Sequence, residues 1–151
     1  MQLIFAKGEI KVPKYMKSLN NISRAQQVYR KRQAGDALPV YMHPYILSIC
    51  RNPGLTQDEL GADLCVGKSM VSRRVEWLEE NGYVVRSQDP EDKRRQRIEP
   101  TEMSLLVLPE LRRISREWMT LISEGIGEEE LEVFERVLSR LEAKAREVAE
   151  I

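Results

Sequence analysis

Histidine and cysteine, on which most metal sites and disulfide frameworks depend, are scarce in this sequence. Its 151 residues contain one histidine, His43, and two cysteines, Cys50 and Cys65. A multi-histidine zinc site is therefore excluded, and two cysteines that stand well apart do not replace it. Unpaired cysteines are typical of the reducing cytoplasm, so we predict a cytoplasmic protein with buried, unreactive thiols and with no metal or cofactor.

Long apolar runs and the common catalytic patterns are also missing. No run of roughly 18 apolar residues occurs, so the sequence predicts no membrane-spanning helix. It contains no Ser-His-Asp pattern, no glycine-rich phosphate loop and no pair of catalytic carboxylates. We therefore do not expect an enzyme.

The net charge is zero, because 24 Lys and Arg balance 24 Asp and Glu, but the charges are unevenly distributed. Residues 1–34 hold eight Lys and Arg against one Glu, whereas residues 128–151 hold eight Glu against four Lys and Arg. Local charge rather than the total decides which partners a surface attracts. The overall balance therefore does not exclude a nucleic-acid partner.

Residues 55–97 contain the most informative pattern. Thr56 and Glu59 have the spacing of a capping box, which predicts that a short helix begins after Thr56. Gly61 costs roughly 1 kcal/mol relative to alanine in a helix interior, so we expect close helix packing there. Gly67 then predicts a sharp turn in which its backbone takes an unusual conformation.

A second helix is predicted from about Lys68 to Asn81, with Val71, Val75 and Leu78 on one apolar face. Short hydroxyls and an arginine near a helix N-terminus suit the phosphates and base edges of DNA. An isolated helix with such a face is more often simply solvated, but the elements on either side favour DNA. The residues off the apolar face that we predict to contact DNA are Lys68, Ser69, Ser72 and Arg73.

A short hairpin is predicted to follow this helix, with Val84 in its first strand and Ile98 in its second. The connecting loop starts with the turn-forming pair Asp89-Pro90, and arginines in such a loop suit the narrow minor groove of DNA. A charged loop by itself usually indicates only solvent exposure. We expect Asp92 to orient the guanidinium of Arg94. The hairpin residues that we predict to contact DNA are Arg86, Lys93, Arg94, Arg95 and Arg97.

These motifs resemble those of the MarR-type family of winged helix-turn-helix transcriptional regulators. The similarity is strong over about residues 40–101 and weaker outside them. Three departures, at Gly61, Gly67 and Pro100, do not remove a predicted DNA contact. The matching segments are Leu55-Thr56-Gln57 with Glu59-Leu60, Leu78-Glu79 with Gly82, Val84 with Arg86, and residues 89–94, where Asp92 and Arg94 form the most specific motif.

The resemblance implies a sequence-specific DNA-binding regulator, here predicted to be a repressor that binds a pseudo-palindromic operator as a homodimer. We therefore predict a mainly α fold with a small β-hairpin wing (α+β). We expect a winged helix-turn-helix lobe at residues 37–101 between helical dimerisation arms at residues 1–36 and 102–151. The alternative is a winged-helix protein-interaction module without specific DNA binding, and the arginines of the wing and second helix favour DNA.

The last helix carries an apolar seam with alternating spacings of three and four residues. Such a seam favours a partner helix of a second subunit over packing within one chain. The resemblance also implies release of DNA by a small aromatic or phenolic ligand, bound between the arms and the lobe. Ordinary packing is the alternative for each residue on the walls of that crevice. The predicted ligand contacts are Tyr29, Met42, His43 and Arg113, and the predicted dimer seam is Leu131, Phe134, Leu138 and Leu141.

Overall fold

The computed structural model describes residues 14–35 and 38–150, which form six α-helices and one β-hairpin. The predicted mainly α fold with a small hairpin is confirmed, although the part of the N-terminal arm before Lys14 lies outside the described residues. None of the described helices is both long and apolar enough to cross a membrane. The elements are α1 (Lys14–Ala34), a 3₁₀ turn (Val40–Met42), α2 (His43–Arg51), α3 (Gln57–Leu64), α4 (Lys68–Glu80), β1 (Val84–Gln88), β2 (Gln96–Pro100), α5 (Glu102–Ile122) and α6 (Glu128–Ala149).

The core lies between α2, α3, α4 and the hairpin. The predicted apolar face of α4 is confirmed, because Val71, Val75 and Leu78 are fully buried. Complete burial of an aliphatic side chain contributes roughly 1.5–3 kcal/mol, so this face holds α4 in one orientation. The side chains that pack in the same cluster include Ile46 and Ile49 of α2, Leu60 of α3, Val84 of β1, Ile98 of β2 and Leu111 of α5.

The first helix of the helix-turn-helix, α3, begins as predicted. The backbone N–H of Glu59 donates to Thr56 Oγ1 at 3.3 Å, and the backbone N–H of Thr56 donates to Glu59 Oε2 at 2.8 Å. The close packing expected at Gly61 is also present. A Cβ added at Gly61 would lie 2.9 Å from the carbonyl oxygen of Val66 and 3.3 Å from Val71 Cγ2. Glycine therefore allows α3 to approach the turn and α4.

The turn between α3 and α4 differs from the prediction. Gly67 has an ordinary extended backbone with φ of −65°, and it precedes α4 without a side-chain cap. The left-handed residue is Cys65, with φ of 53°. The expectation that both thiols are buried is wrong for Cys65, which is exposed because it ends α3 at the surface. Cys50 is half-buried, and burial raises the pKa of its thiol.

The two hairpin strands are antiparallel, with Val84 opposite Pro100 and Gln88 opposite Gln96. Ile98 lies in the second strand, as predicted, and is fully buried. Its backbone N–H donates to the carbonyl of Leu55 at 2.8 Å, which joins the hairpin to the segment before α3. The hairpin is therefore attached to the helix-turn-helix by main-chain bonds as well as by packing.

The terminal helices α1 and α6 have no buried residue among the described part of the chain. Their apolar side chains line a shared groove of about 470 Å³ instead. Phe134 is 51% exposed and Leu141 is 43% exposed, so a large apolar surface on α6 is left uncovered by the described residues. The groove is lined by Tyr15, Ser18, Leu19, Ile22, Phe134, Val137, Leu138 and Leu141.

Candidate nucleic-acid interface

The polar side of α4 faces solvent, opposite its buried apolar face. Ser69, Ser72 and Arg73 are all exposed. Arg73 Nε donates to the carbonyl oxygen of Ser69 at 3.2 Å, so the arginine lies along the exposed helix surface. Lys68 pairs with Asp58 at 3.1 Å, but both side chains are largely exposed, and such a pair contributes about 0–1 kcal/mol. This pair leaves Lys68 free to exchange its partner for a phosphate.

A cleft of about 660 Å³ separates the beginnings of α3 and α4 from the hairpin loop. Four cationic side chains line it, against the two carboxylates of Asp58 and Glu59. A concave surface with an excess of one charge concentrates ligands of the opposite charge. The cations are Lys68, Lys93, Arg94 and Arg95, and the remaining lining residues are Thr56, Gln57, Gln88 and Gln96.

A buried carboxylate, that of Asp89, supports the hairpin loop. Its Oδ1 accepts from the backbone N–H groups of Glu91 at 2.8 Å and Asp92 at 3.3 Å, and its Oδ2 accepts from Arg97 Nε at 2.8 Å. The hydrogen bond from Glu91, followed by that from Arg97, holds the pKa of Asp89 below its ordinary value. Asp89 therefore closes the loop and joins it to β2.

The predicted role of Asp92 requires correction. Its Oδ1 accepts from the backbone N–H of Arg94 at 3.0 Å, and its Oδ2 lies 3.6 Å from Arg95 Nε. The carboxylate of Asp92 thus shapes the turn and pairs with Arg95 rather than holding the guanidinium of Arg94. Within residues 14–35 and 38–150, the side chains of Lys93 and Arg94 form no ion pair.

Two of the arginines expected to contact DNA are held within the protein. Arg86 Nε donates to Glu79 Oε2 at 2.8 Å, which links β1 to α4 and leaves 26% of the Arg86 side chain exposed. This hydrogen bond raises the pKa of Arg86 and lowers that of Glu79. Arg97 is held by Asp89. Both prefer these partners because each carboxylate lies beside its arginine and is partly shielded from water.

The four residues expected around a ligand do not form one open pocket. Met42 and His43 belong to the interior, each with 1% of its surface exposed. His43 Nε2 lies 3.3 Å from the carbonyl oxygen of Leu38, and burial is the main cause that lowers the pKa of this imidazole. The expectation that these two side chains line an open crevice is corrected, because the turn before α2 packs them into the core.

Tyr29 and Arg113 come together through one acidic residue on α5. The hydroxyl of Tyr29 donates to Glu117 at 3.3 Å, and its ring lies 5.3 Å from that of Trp118. Arg113 donates to Glu117 at 2.5 Å and to Glu110 at 2.6 and 2.8 Å, and these carboxylates raise its pKa. Arg113 therefore has partners already, and a ligand carboxylate has to compete with them.

Comparison with known proteins gives the family. A sequence model of the MarR family matches residues 45–95. A solved structure of MarR is 31% identical, covers 89% of this chain and 98% of its own, and superposes with a TM-score of 0.71. The chain belongs to the MarR family. Members of this family are transcription regulators and not enzymes.

Two further proteins are similar to this chain, one in sequence and one in fold. The HTH-type transcriptional regulator YybA of Bacillus subtilis (strain 168) is 29% identical over 97 residues, which cover 64% of this chain and 65% of the relative. The chain thus spans slightly less than two thirds of that relative's length. A MarR family regulator from Listeria monocytogenes, solved with a 26mer DNA, is 22% identical, covers 88% of this chain and 89% of its own, and has a TM-score of 0.82.

Sequence reasoning missed two structural residues of the MarR-type lobe. The sequence predicts Asp89 only as a turn former, and its pairing with Arg97 is not predicted. Arg74 received no role, and its guanidinium lies 3.9 Å above the ring of Tyr41. That contact links α4 to the 3₁₀ turn, and no spacing along the sequence indicates it.

We predict that Asp89 causes a measurable part of the pH dependence of stability. Because its pKa is lowered in the folded state, the ionised carboxylate stabilises the fold above the ordinary pKa of about 3.9. This contribution is lost as the pH falls through the lower folded-state value. The variant Asp89→Asn should therefore be less stable than wild type at neutral pH and should lose less stability between about pH 5 and about pH 3.

Urea unfolding at several pH values measures this difference. Asp92→Asn is the matched control, because it removes an equal charge from the same loop without removing the buried carboxylate. The assignment would be contradicted if the free energy of unfolding depended less on pH in Asp92→Asn than in wild type, while Asp89→Asn kept the pH dependence of wild type.

Proposed function

We propose that this MarR-family regulator is a homodimeric repressor that binds a pseudo-palindromic operator and is released by a small aromatic acid. In this proposal α4 enters the major groove and the hairpin loop contacts the adjacent minor groove. The observation that carries the proposal is that one concave surface joins Lys68, at the start of α4, to Lys93 and Arg94 of the loop, whose side chains form no ion pair within the described residues.

The exposed face of α4 supports base recognition. Burial of Val71 and Val75 prevents the helix from turning its polar side inward, so Ser72 and Arg73 stay available. A guanidinium can donate two hydrogen bonds to the O6 and N7 atoms of guanine, which discriminates against other bases by about 1–3 kcal/mol. Arg73 is therefore our candidate for base recognition, with Lys68 and Ser69 as candidate phosphate contacts.

The hairpin loop supports a minor-groove contact. Its tip carries Lys93 and Arg94, while Asp89 holds the base of the loop. Inserted arginines are favoured in a narrow minor groove because its electrostatic potential is strongly negative. We propose Arg94 for that insertion, with Lys93 and Arg95 at neighbouring phosphates. The pairs that hold Arg86 and Arg97 favour supporting roles for these two residues.

A protein-interaction module is the weaker candidate. An excess of cations in the cleft beside α4 is not expected for such a module. The family also consists of transcription regulators. Both points favour DNA as the partner of this surface.

The apolar surfaces of α1 and α6 support a homodimer. Phe134 and Leu141 are about half exposed on a helix none of whose residues is buried by the described part of the chain. Covering such a seam with the same seam of a second copy removes apolar surface from water on both chains. Leu131 and Leu138 are more covered than Phe134, and we place them at the edge of the proposed interface.

Control by a small aromatic acid rests on the family resemblance. Arg113 and Tyr29, joined by Glu117, remain the candidate contacts, whereas Met42 and His43 are buried. Release requires a ligand that binds better to a dimer whose half-site spacing does not match the operator. A tenfold change of operator affinity corresponds to about 1.4 kcal/mol of coupling, which a few contacts supply.

Two alanine variants test the proposed DNA contacts. Arg73→Ala should weaken operator binding by about 1–3 kcal/mol and relax the preference at one base position per half-site. Arg94→Ala should weaken binding to all sequences and lower the slope of log K against log salt by up to about 0.9, because the cation inserted in the minor groove no longer releases counterions. Fluorescence anisotropy with DNA from the promoter of the protein's own gene, at several salt concentrations, measures both effects.

Arg140→Ala is the control for these variants, because it removes an exposed arginine of α6 far along the chain from the lobe. Equal affinities of the Arg73→Ala and Arg140→Ala proteins would refute the role of Arg73. The unfolding curves of Arg73→Ala and Arg94→Ala should coincide with that of wild type, since neither arginine side chain is buried.

Phe134→Arg tests the dimer. We expect a folded monomer with weakened operator binding, because the side chain is half exposed in the single chain and a charge there opposes only the association. Light scattering gives the mass and circular dichroism the fold. Glu135→Arg, one residue along the same helix, is the control for an added cation. A Phe134→Arg protein that remains dimeric would move the interface away from this seam.

Salicylate titrated into the complex of operator and protein tests the ligand. The proposal expects dissociation at or below millimolar concentration, with a weaker response from Arg113→Ala because the cation that attracts the carboxylate is gone. The absence of any response from wild type to salicylate and related phenolic acids would exclude this class of effector.

A further inference from the structure

The end of α3 lacks the positive charge that a helix C-terminus usually attracts. The last carbonyl groups of any helix have no partner within it, and the negative end of the helix dipole favours a cation there. The last turn of α3 contains no basic residue and instead carries the acidic Asp63. A stabilising cation for this end therefore has to come from elsewhere in the fold.

Arg146, in the last turn of α6, supplies this cation. Its guanidinium donates to the carbonyl oxygen of Ala62 and, at 3.2 Å, to that of Asp63. Glu142, one turn earlier on α6, accepts from Arg146 Nε at 3.1 Å and from Nη2 at 2.8 Å, which directs the guanidinium toward α3. The Arg146 side chain is 29% exposed, so the contact is partly shielded from water.

The side chain of Asp63 is held by α2. Ser48, which is buried, donates to Asp63 Oδ2 at 2.5 Å, and Arg51 contacts both carboxylate oxygens at 2.9 and 3.1 Å. The end of α3 is thus joined to α2 through a side chain and to α6 through its backbone. These bonds meet directly before Cys65, where the chain turns toward α4.

The contact between Arg146 and the end of α3 connects the proposed dimer arm to the DNA-binding lobe. The first two thirds of α6 carry the exposed apolar seam around Phe134, and its last turn holds the helix-turn-helix. In the proposed dimer the partner subunit would hold the seam while Arg146 holds the last turn, so α6 would transmit the geometry of the seam to α4, from which α3 is separated by only one short turn.

We propose that Arg146 is a positioning residue that fixes the helix-turn-helix to the dimer arm and thereby sets the spacing of the two α4 helices on DNA. This inference rests on the proposed function, because it requires a dimer that binds paired half-sites. Loss of Arg146 leaves α3 and α4 folded by their own core but frees their orientation relative to α6.

Operators with altered half-site spacing test this role. Wild type should prefer one spacing, at about one helical turn or roughly 10 bp, over the same half-sites moved apart or together by about one base pair. Arg146→Ala should lose about five- to tenfold affinity for the preferred spacing and bind the altered ones no worse than wild type. Arg146→Lys, which keeps a cation that can donate to the carbonyls, should restore part of the preference.

Arg140→Ala is the control within α6 and should keep the preference of wild type, and thermal unfolding confirms that each variant is folded. An Arg146→Ala protein that loses affinity equally at every spacing, or that keeps the wild-type preference, overturns the inference alone. A wild-type protein that shows no spacing preference at all overturns the proposed function together with it.

Discussion

Burial of one face of α4 is the constraint on which the rest of the lobe depends. Val71, Val75 and Leu78 are fully enclosed by side chains of α2, α3 and β2. Rotating α4 by one residue would replace them with Ser72, Glu76 and Glu79, whose burial without partners costs several kcal/mol. The same packing therefore decides which side chains face outward, so the core and the candidate DNA surface are two sides of one helix. Gly61 contributes by letting α3 approach closely enough to cover that core.

Some charged side chains around the hairpin form ion pairs that stabilise it, whereas Lys93 and Arg94 form none within the described residues. Asp89 and Glu79 hold Arg97 and Arg86, and each pair links an element of the hairpin to its neighbour. The carboxylate of Asp89 also accepts from two backbone N–H groups, which stiffens the loop that carries Lys93 and Arg94. A charged loop would otherwise be mobile, and binding would have to offset the entropy of ordering it. Two cations on a stiffened loop avoid much of that cost.

The terminal helices differ from the lobe, because residues 14–35 and 38–150 leave the apolar side chains of α1 and α6 without a buried position. In the proposed dimer, α6 joins the seam at Phe134 to the end of α3 at Arg146. Through this contact of α6, the position of α4 in the proposed dimer would depend on how the arms of the two subunits pack against each other. In the proposed function, a ligand that shifts the arms would change DNA affinity without contacting α4.

Several local elements of this fold could be predicted from the sequence alone, because each depends on a pattern of nearby residues. The capping box of Thr56 and Glu59, the apolar face of α4 and the strand at Ile98 were all predicted, because each depends on residues a few positions apart. The partner of each charge was not predicted. Asp92 was expected to orient Arg94, and Arg86 and Arg97 were expected on DNA, because sequence distance does not show which carboxylate lies beside which arginine once the hairpin closes. Only the tertiary structure decided those pairs. The contact of Arg146 with Ala62 joins residues 84 positions apart, and it exists only because the fold brings the end of α6 to the end of α3.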